Sequence, residues 1–196
     1  MERYKQTVGP TLYAVSLDEL KSHVGAEGYD EYDGLLATLR DAVTEAVGKR
    51  CRRQIMSSTF TLTLDAFPAE IIIDTAPVSE VTTVAYTDAD GDAATLTATT
   101  DYQTDLSTND GPATVKPAYG VSWPSTQSGT YGAVVVTFKA GCTTAAAVPD
   151  TIKHEICMLV AHWFRNREGI YIGDNANEIP QGIEMLSALN DTGAYQ

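Results

Sequence analysis

The amino-acid sequence predicts an α+β fold in which an antiparallel β unit is inserted between two helical halves that form one bundle. Three features of the 196 residues lead to this prediction. Apolar residues recur with helical period near both ends of the chain, they alternate with polar residues in the middle, and turn-forming clusters interrupt the middle at short intervals. We therefore predict an N-terminal helical half at 1–54, an inserted β domain at 55–141 that forms a small sandwich or barrel, and a C-terminal helical half at 142–196 that packs on the first.

The N-terminal half is predicted to contain two helices after an arm. Residues 1–15 show no periodicity and are expected to form a flexible or partner-bound arm. Ser16 and Glu19 have the spacing of a capping box, which begins a short helix that ends near His23. A longer helix is predicted at 30–49, and its apolar face consists of Leu35, Leu36, Leu39, Val43, Ala46 and Val47.

The middle of the chain is predicted to form an antiparallel sheet. Residues 59–65 alternate between apolar and polar side chains, as a half-buried strand does. The acidic segment from Asp88 to Asp92 is typical of a hairpin loop. The remaining predicted strands lie on either side of such turn clusters, at 81–87, 94–98, 101–106, 113–116 and 131–139.

A long apolar helix is predicted at 149–168, beginning with Pro149 at a position where its missing N–H costs nothing. Cys157, Met158 and Ala161 lie off its main apolar stripe, so the middle of the helix is nonpolar on most sides. We expect either the interior of the fold or a neighbouring subunit to cover the second face. A short last helix is predicted after Pro180. The side chains expected in the core are Leu36, Leu39, Val43, Ile152, Ile156, Leu159 and Trp163.

Composition and charge narrow the classes of function. The formal net charge is −13, which argues against a grip on nucleic acid and is compatible with a surface past which DNA slides. No apolar run is long enough to span a membrane, and the N-terminus lacks the apolar core of a signal peptide. We therefore expect synthesis in the cytoplasm and no membrane partner. The three cysteines Cys51, Cys142 and Cys157 are interpreted as free thiols.

Catalytic and metal-binding interpretations fit the sequence poorly. His154 and Glu155 begin a zinc-protease motif, but Met158 stands where the second histidine is needed. His162 lies about 12 Å further along the helix, too far to share one zinc ion. The loop at 88–92 lacks the glycine and glutamate spacing of a calcium loop. The sequence therefore predicts no enzyme, no metal and no cofactor.

Short motifs are distributed over residues 16–189 in a characteristic order. They are Leu17 to Lys21, Cys51-Arg52-Arg53, Phe67-Pro68, Ile71-Ile72-Ile73, Ala76-Pro77-Val78, Val81 to Tyr86 with Asp90-Gly91, Val148-Pro149, Ile152, Ala161 to Glu168, Glu178-Ile179-Pro180, and Gly182-Ile183 with Leu186. Together these segments resemble the tailed-phage head–tail connector (adaptor) proteins, in particular those with a β insert. In that family a proline opens an apolar helix that ends in a Trp–aromatic–x–x–Arg–Glu motif, and a second proline precedes a short helix.

The resemblance implies a structural protein of the virion neck. Such a protein forms a ring, commonly dodecameric, that joins the portal protein to a stopper or tail protein and surrounds the channel through which DNA leaves. It is synthesised in the bacterial cytoplasm and is located at the head–tail junction of the virion. A closed ring needs two different faces on each copy. The candidates for those faces are Lys49, Arg50, Arg52, Arg53, Met158, His162, Arg165 and Arg167. The resemblance also implies portal contacts from Ile183, Met185, Leu186, Leu189 and Tyr195.

Two alternatives remain open at this stage. The first is another neck or tail-completion protein, such as a stopper or tail terminator; these are mostly β, so a helix content well above one third would argue against them. The second is a ligand-binding or hydrolytic β domain with helical flanks, which would need a cleft with convergent polar groups.

Overall fold

The structure is a computed structural model that describes residues 3–106, 111–166 and 181–190. Within these residues the fold is α+β, with four α-helices and two antiparallel sheets. None of the described helices combines the length and the apolar character that crossing a bilayer requires. The predicted fold class is therefore confirmed at this level.

The chain divides into two compact units. The β unit comprises residues 1–11 and 57–142, and the helical unit comprises residues 12–56 and 143–196. The β segment is thus inserted between two helical segments. The predicted assignment of 1–54 to the helical half is wrong for the first residues, which belong to the β unit.

The larger sheet of the β unit has five strands in the order β1-β2-β8-β4-β5, and every neighbouring pair is antiparallel. Leu62, Val136 and Val84 follow one another across the sheet in a single row. All three are buried, which places this row on the core face. The strands are β1 (Arg3–Val8), β2 (Ser58–Leu64), β4 (Val78–Thr87), β5 (Ala93–Leu96) and β8 (Val134–Ala140).

The smaller sheet has three antiparallel strands, β3 (Ile71–Ile73), β7 (Ala113–Pro117) and β6 (Tyr102–Asp105), in that order. Ile71, Ile73 and Val115 from this sheet share one apolar core with Leu62 and Phe138 from the larger sheet. The alternation of the sequence produces this core, because every second residue of a strand points to the same face. Both sheets are open, so the predicted alternative of a closed barrel is wrong.

Strand β1 corrects the prediction that residues 1–15 form an arm without regular structure. Arg3–Val8 pairs with β2 along its length, with Tyr4 opposite Leu62. All six residues of β1 are exposed. The segment has no buried face, which explains why its sequence shows no clear alternation.

The helical unit begins with α1 (Leu17–Val24), and the predicted capping box is confirmed. The Ser16 hydroxyl accepts from the Glu19 amide at 3.2 Å, and the Glu19 carboxylate accepts from the Ser16 amide at 2.7 Å. Gly25 ends the helix in the left-handed conformation at φ 73°, which glycine adopts without steric cost. One 3₁₀ turn then precedes α2 (Asp33–Arg50), so the regular helix starts three residues after Asp30.

The last two helices are α3 (Asp150–Arg165) and α4 (Gln181–Asn190). Pro149 caps α3 and accepts from the amides of Ile152 and Lys153 through its carbonyl oxygen. Helix α3 contacts α1, α2 and α4. It therefore forms the centre of the helical unit.

Candidate interaction surfaces

Helix α3 is covered on one side and partly uncovered on the other. Its buried face includes Ile152 and Ile156, at 1% and 0% exposure, together with Leu159 and Val160. Cys157 and Met158 on the opposite side are half-buried. The helix is therefore not wholly enclosed by its own chain, and apolar surface remains for a further contact.

Trp163 departs from the prediction that it is a core residue. It lies near the end of α3 and keeps 37% of its surface exposed. The neighbouring Phe164 is half-buried and packs edge-on against Tyr32, with 5.3 Å between ring centroids. Tyr32 in turn lies 6.4 Å from the ring of Tyr29, which is exposed. The end of α3 thus carries an aromatic surface with Trp163 and Tyr29 at its open positions.

The other candidates on α3 lie near this surface along the helix. His162 is half-buried, and its carbonyl oxygen accepts from the Asn166 side chain at 2.9 Å. Arg165 is exposed. Arg167 lies outside the described residues. Arginine and aromatic residues are both enriched at protein interfaces.

The basic group of Lys49, Arg50, Arg52 and Arg53 lies at the end of α2 and in the turn after it. Lys49 forms an ion pair with Glu45, one turn back on the same helix. Arg52 is exposed and Arg53 is half-buried. Arg50 reaches across to α3, where its guanidinium lies 4.0 Å from the carboxylate of Glu155.

Glu155 gives part of this basic group a structural role. It is fully buried on α3, and a buried carboxylate is costly unless it is paired. Arg50 therefore compensates a charge inside the helical unit, whereas Lys49 and Arg52 lie at exposed positions. The basic group is thus divided between internal packing and the surface.

Helix α4 presents apolar side chains to solvent. Met185 is 68% exposed and Leu189 is 63% exposed, and their spacing of four residues places them on one side of the helix. Leu186 is half-buried. The side chains of Ile183 and Tyr195 lie outside the described residues. An exposed pair of this kind favours contact with another protein.

The residues considered for catalysis have other roles in the structure. Burial, together with the negative charge of Glu19, holds the pKa of the Cys157 thiol above its ordinary value, which favours the unreactive protonated form. The Asp88 carboxylate accepts from the amides of Asp90 and Asp92 at 3.0 and 2.9 Å, and so shapes the hairpin. Over residues 3–106, 111–166 and 181–190, no three potential ligands come close enough together to hold a metal ion.

Comparisons with known proteins identify the fold. No protein-family model and no curated protein sequence matches the chain. A chain in the virion of a native gene transfer agent particle matches with a TM-score of 0.73 and 21% identity, over 95% of this chain and 93% of that one. A chain in the neck of the empty particle, computed with C6 symmetry, matches at 0.73 and 22%, over 96% and 94%. A chain in the neck of the native particle, computed with C12 symmetry, matches at 0.63 and 23%, over 94% of both chains.

One further feature was missed by sequence reasoning. The larger sheet ends in two edge strands that belong to distant parts of the chain, β1 and β5. Residues 3–15 contain Arg3 and Lys5 but no acidic residue. This basic character is the sequence signal that could have drawn attention to strand β1.

Proposed function

We propose that this chain is a structural protein of the neck of a tailed-phage-like particle, and that it forms the adaptor ring between the portal protein and a stopper or tail protein. The observation that carries the proposal is the match, over nearly the full length of both chains, to chains from gene transfer agent virions and necks. A match of both units in one continuous chain favours a common role more strongly than a match of either unit alone. The virion, at the head–tail junction, is then the site of action.

The ring interface follows from the surfaces of the helical unit. In a cyclic ring, one face of each copy meets a different face of the next copy. Helix α3 supplies one such face, with Met158, His162 and Arg165 along one side of the helix and Trp163 near its end. Lys49 and Arg52 supply the basic part of the other, where they would meet acidic residues of the adjacent copy. Six or twelve copies are expected, by analogy with the symmetries used for the matching necks.

The portal contact is assigned to α4. Met185 and Leu189 form an exposed apolar pair, and burying each such side chain in an interface contributes about 1.5–3 kcal/mol. Leu186, Ile183 and Tyr195 are carried over from the family resemblance as further members of this contact. We also propose that helices from both ends of the chain form a single bundle.

The charge of the chain suits a channel for DNA. A net charge of −13 in each copy would repel the phosphate backbone, so DNA could pass through the lumen without specific binding. No enzymatic step is needed for this role. The helices α1 to α4 hold 8, 18, 16 and 10 residues, less than one third of the residues that the structure describes. This helix content leaves the stopper or tail-terminator alternative in place.

The proposal is tested by binding and imaging. The purified chain is mixed with the portal protein of the same particle, and the mixture is examined by sedimentation velocity and negative-stain electron microscopy. We expect a ring of six or twelve copies attached to the portal. The double variant Met185→Glu/Leu189→Glu should lose this attachment, whereas the matched variant Tyr119→Glu/Tyr131→Glu, at exposed residues of the β unit, should keep it. A chain that stays a 21.0-kDa monomer with the portal present at every concentration contradicts the adaptor role.

A further inference from the structure

Arg40 is a buried arginine on the core face of α2. It lies between Leu36 and Val43 in the row of buried residues along this helix, and its side chain is only 8% exposed. A charged group in such a position is costly unless hydrogen bonds and neighbouring charges compensate it. The contacts of the guanidinium group therefore decide whether Arg40 is a satisfied part of the core.

The guanidinium group of Arg40 is satisfied on one side only. Its Nε donates to the Asp41 carboxylate at 3.0 Å, and its Cζ lies 3.3 Å from the centroid of the Tyr13 ring. Within the described part of the chain, Nη1 and Nη2 have no hydrogen-bond partner, and neither nitrogen is closed off from solvent. These two nitrogens form the end of the planar fork that binds a carboxylate through two parallel hydrogen bonds.

An apolar rim surrounds this end of Arg40. Tyr13 covers one face of the guanidinium group and is 53% exposed, and Leu12, which precedes it, is 52% exposed. Ala14 and Val15 are buried and hold the segment in place. Apolar side chains around a charged group exclude water and strengthen its interaction with an opposite charge. Arginine and tyrosine are also enriched among the residues that dominate binding energy at interfaces.

The composition of the chain favours a second copy as the source of the carboxylate. The sequence contains 26 acidic and 13 basic residues, so many carboxylates have no basic partner within their own copy. The hairpin tip at 88–92 carries three aspartates, and residues 54–115 contain no lysine or arginine. The next basic residues along the chain, Lys116 and Lys139, pair with glutamates elsewhere in the β unit. The hairpin tip is therefore acidic surface without a local counter-charge.

The hairpin tip is also held in a fixed shape. The Asp88 carboxylate accepts from the amides of Asp90 and Asp92, and Gly91 adopts a φ of 94°. Asp90 and Asp92 are both exposed. Because the turn is already ordered, little conformational entropy is lost when it enters a contact.

We propose that Arg40 of one copy binds the carboxylate of Asp90 or Asp92 in the hairpin tip of the adjacent copy, with Leu12 and Tyr13 packed around the contact. The proposal rests on the ring proposed above. It joins the helical unit of one copy to the β unit of the next, which gives the two different faces that a cyclic ring needs.

The direct test converts this contact into a covalent bond. Arg40→Lys keeps the positive charge and supplies a primary amine, which a water-soluble carbodiimide joins to a touching carboxylate as an amide, taking up the water that is lost. Equal amounts of unlabelled and heavy-isotope-labelled variant are mixed with the portal protein, cross-linked and examined by mass spectrometry. A product that combines both isotopes marks a bond between copies. The matched control carries Asp90→Asn/Asp92→Asn in addition.

We expect the introduced lysine to be joined to Asp90 or Asp92 of another copy, and we expect this product to be lost in the control. No product, or a product with Asp41 of the same copy alone, overturns the proposal. A product with the portal protein or with a different segment of the next copy also overturns it. Rings that form on the portal without the expected product leave the adaptor role standing.

A double-mutant cycle provides an independent measurement. Arg40→Met and Asp90→Asn/Asp92→Asn should each raise the concentration needed for ring formation about tenfold, and their combination should raise it no further, because both remove one contact. Asp74→Asn/Glu80→Gln removes the same number of charges from exposed positions of the β unit and should leave this concentration unchanged. Sedimentation velocity with the portal protein measures all four variants.

Additive effects of the two changes, or an equal effect of the control pair, overturn the contact. Circular dichroism of each isolated variant shows whether it is folded. If Arg40→Met fails to fold, the cross-linking of Arg40→Lys decides the question. Absence of rings from the unchanged chain with the portal protein would instead contradict the proposed function itself.

Discussion

Tyr4 joins the exposed strand β1 to the second sheet of the β unit. Its hydroxyl donates to the Ile72 carbonyl at 3.2 Å and accepts from the Asp74 amide at 3.3 Å. Its ring meets that of Phe138 edge-on, with 6.4 Å between centroids. One side chain thus holds an edge strand in place through both hydrogen bonds and packing.

Replacing this hydroxyl should cost measurable stability. Tyr4→Phe keeps the ring and removes both hydrogen bonds, so we expect the free energy of unfolding to fall by about 0.5–1.5 kcal/mol. Tyr119→Phe is the matched control, because Tyr119 is fully exposed. Urea denaturation followed by circular dichroism measures both. Equal stability of the two variants would show that the Tyr4 hydroxyl contributes nothing to holding β1.

Asp65 links stability to pH in the same unit. Its carboxylate accepts from the Gly132 amide at 2.9 Å, and this bond, together with the charge of Arg3, lowers the pKa of Asp65 below the ordinary 3.8. Because the folded pKa is the lower one, its contribution to stability is complete above about pH 3.8 and is lost as the pH falls through the folded value.

Asp65→Asn should therefore be less stable than the natural chain at neutral pH, and the difference should shrink below about pH 4. Urea denaturation at a series of pH values from neutral to acidic measures the difference directly. A gap that stays constant down to the most acidic pH would contradict a role for the ionised carboxylate.

At the scale of elements, α3 combines a buried face with an exposed end. Ile156 lies at 0% exposure in its middle, and Trp163 lies at 37% near its end. The helical period shows which residues lie on the same side of the helix. Other segments of the chain determine which part of that side is covered. This is why the sequence identified Ile156 correctly as buried and placed Trp163 wrongly in the core.

Ile156→Ala and Trp163→Ala should separate folding from assembly. Ile156→Ala should lower the free energy of unfolding by about 2–5 kcal/mol, because it leaves a cavity in the core. Trp163→Ala should lower it clearly less and should mainly weaken ring formation. Urea denaturation and sedimentation velocity in the presence of the portal protein provide the two readouts. A larger stability loss for Trp163→Ala than for Ile156→Ala, with assembly intact, would show that Trp163 acts as a core residue.

The elements that could be predicted are those whose signals are local. The capping box of Ser16 and Glu19 lies within four residues, and the hairpin after β4 contains its own acidic turn. Strand β1 could not be predicted, because its partner lies more than fifty residues away and none of its side chains is buried. The open edges depend on strand order, which no local pattern contains.

At the scale of the whole molecule, the sequence predicted which residues belong to the candidate surfaces, but not which of them are paired or exposed. The sequence indicated the basic residues after α2, but not that Arg50 would compensate the buried Glu155. It placed Met185 and Leu189 on a short helix, and the structure adds that both are exposed. Under the proposed function, these surfaces are the contacts of each copy in a ring.

The most direct measurement is the position of this chain in an assembled particle. Immunogold electron microscopy, with an antibody raised against the chain, is applied to particles released by the cells that encode it. We expect gold at the junction of head and tail in most labelled particles. Gold on the head shell or along the tail, or chain found only outside particles, would contradict the proposed place in the neck.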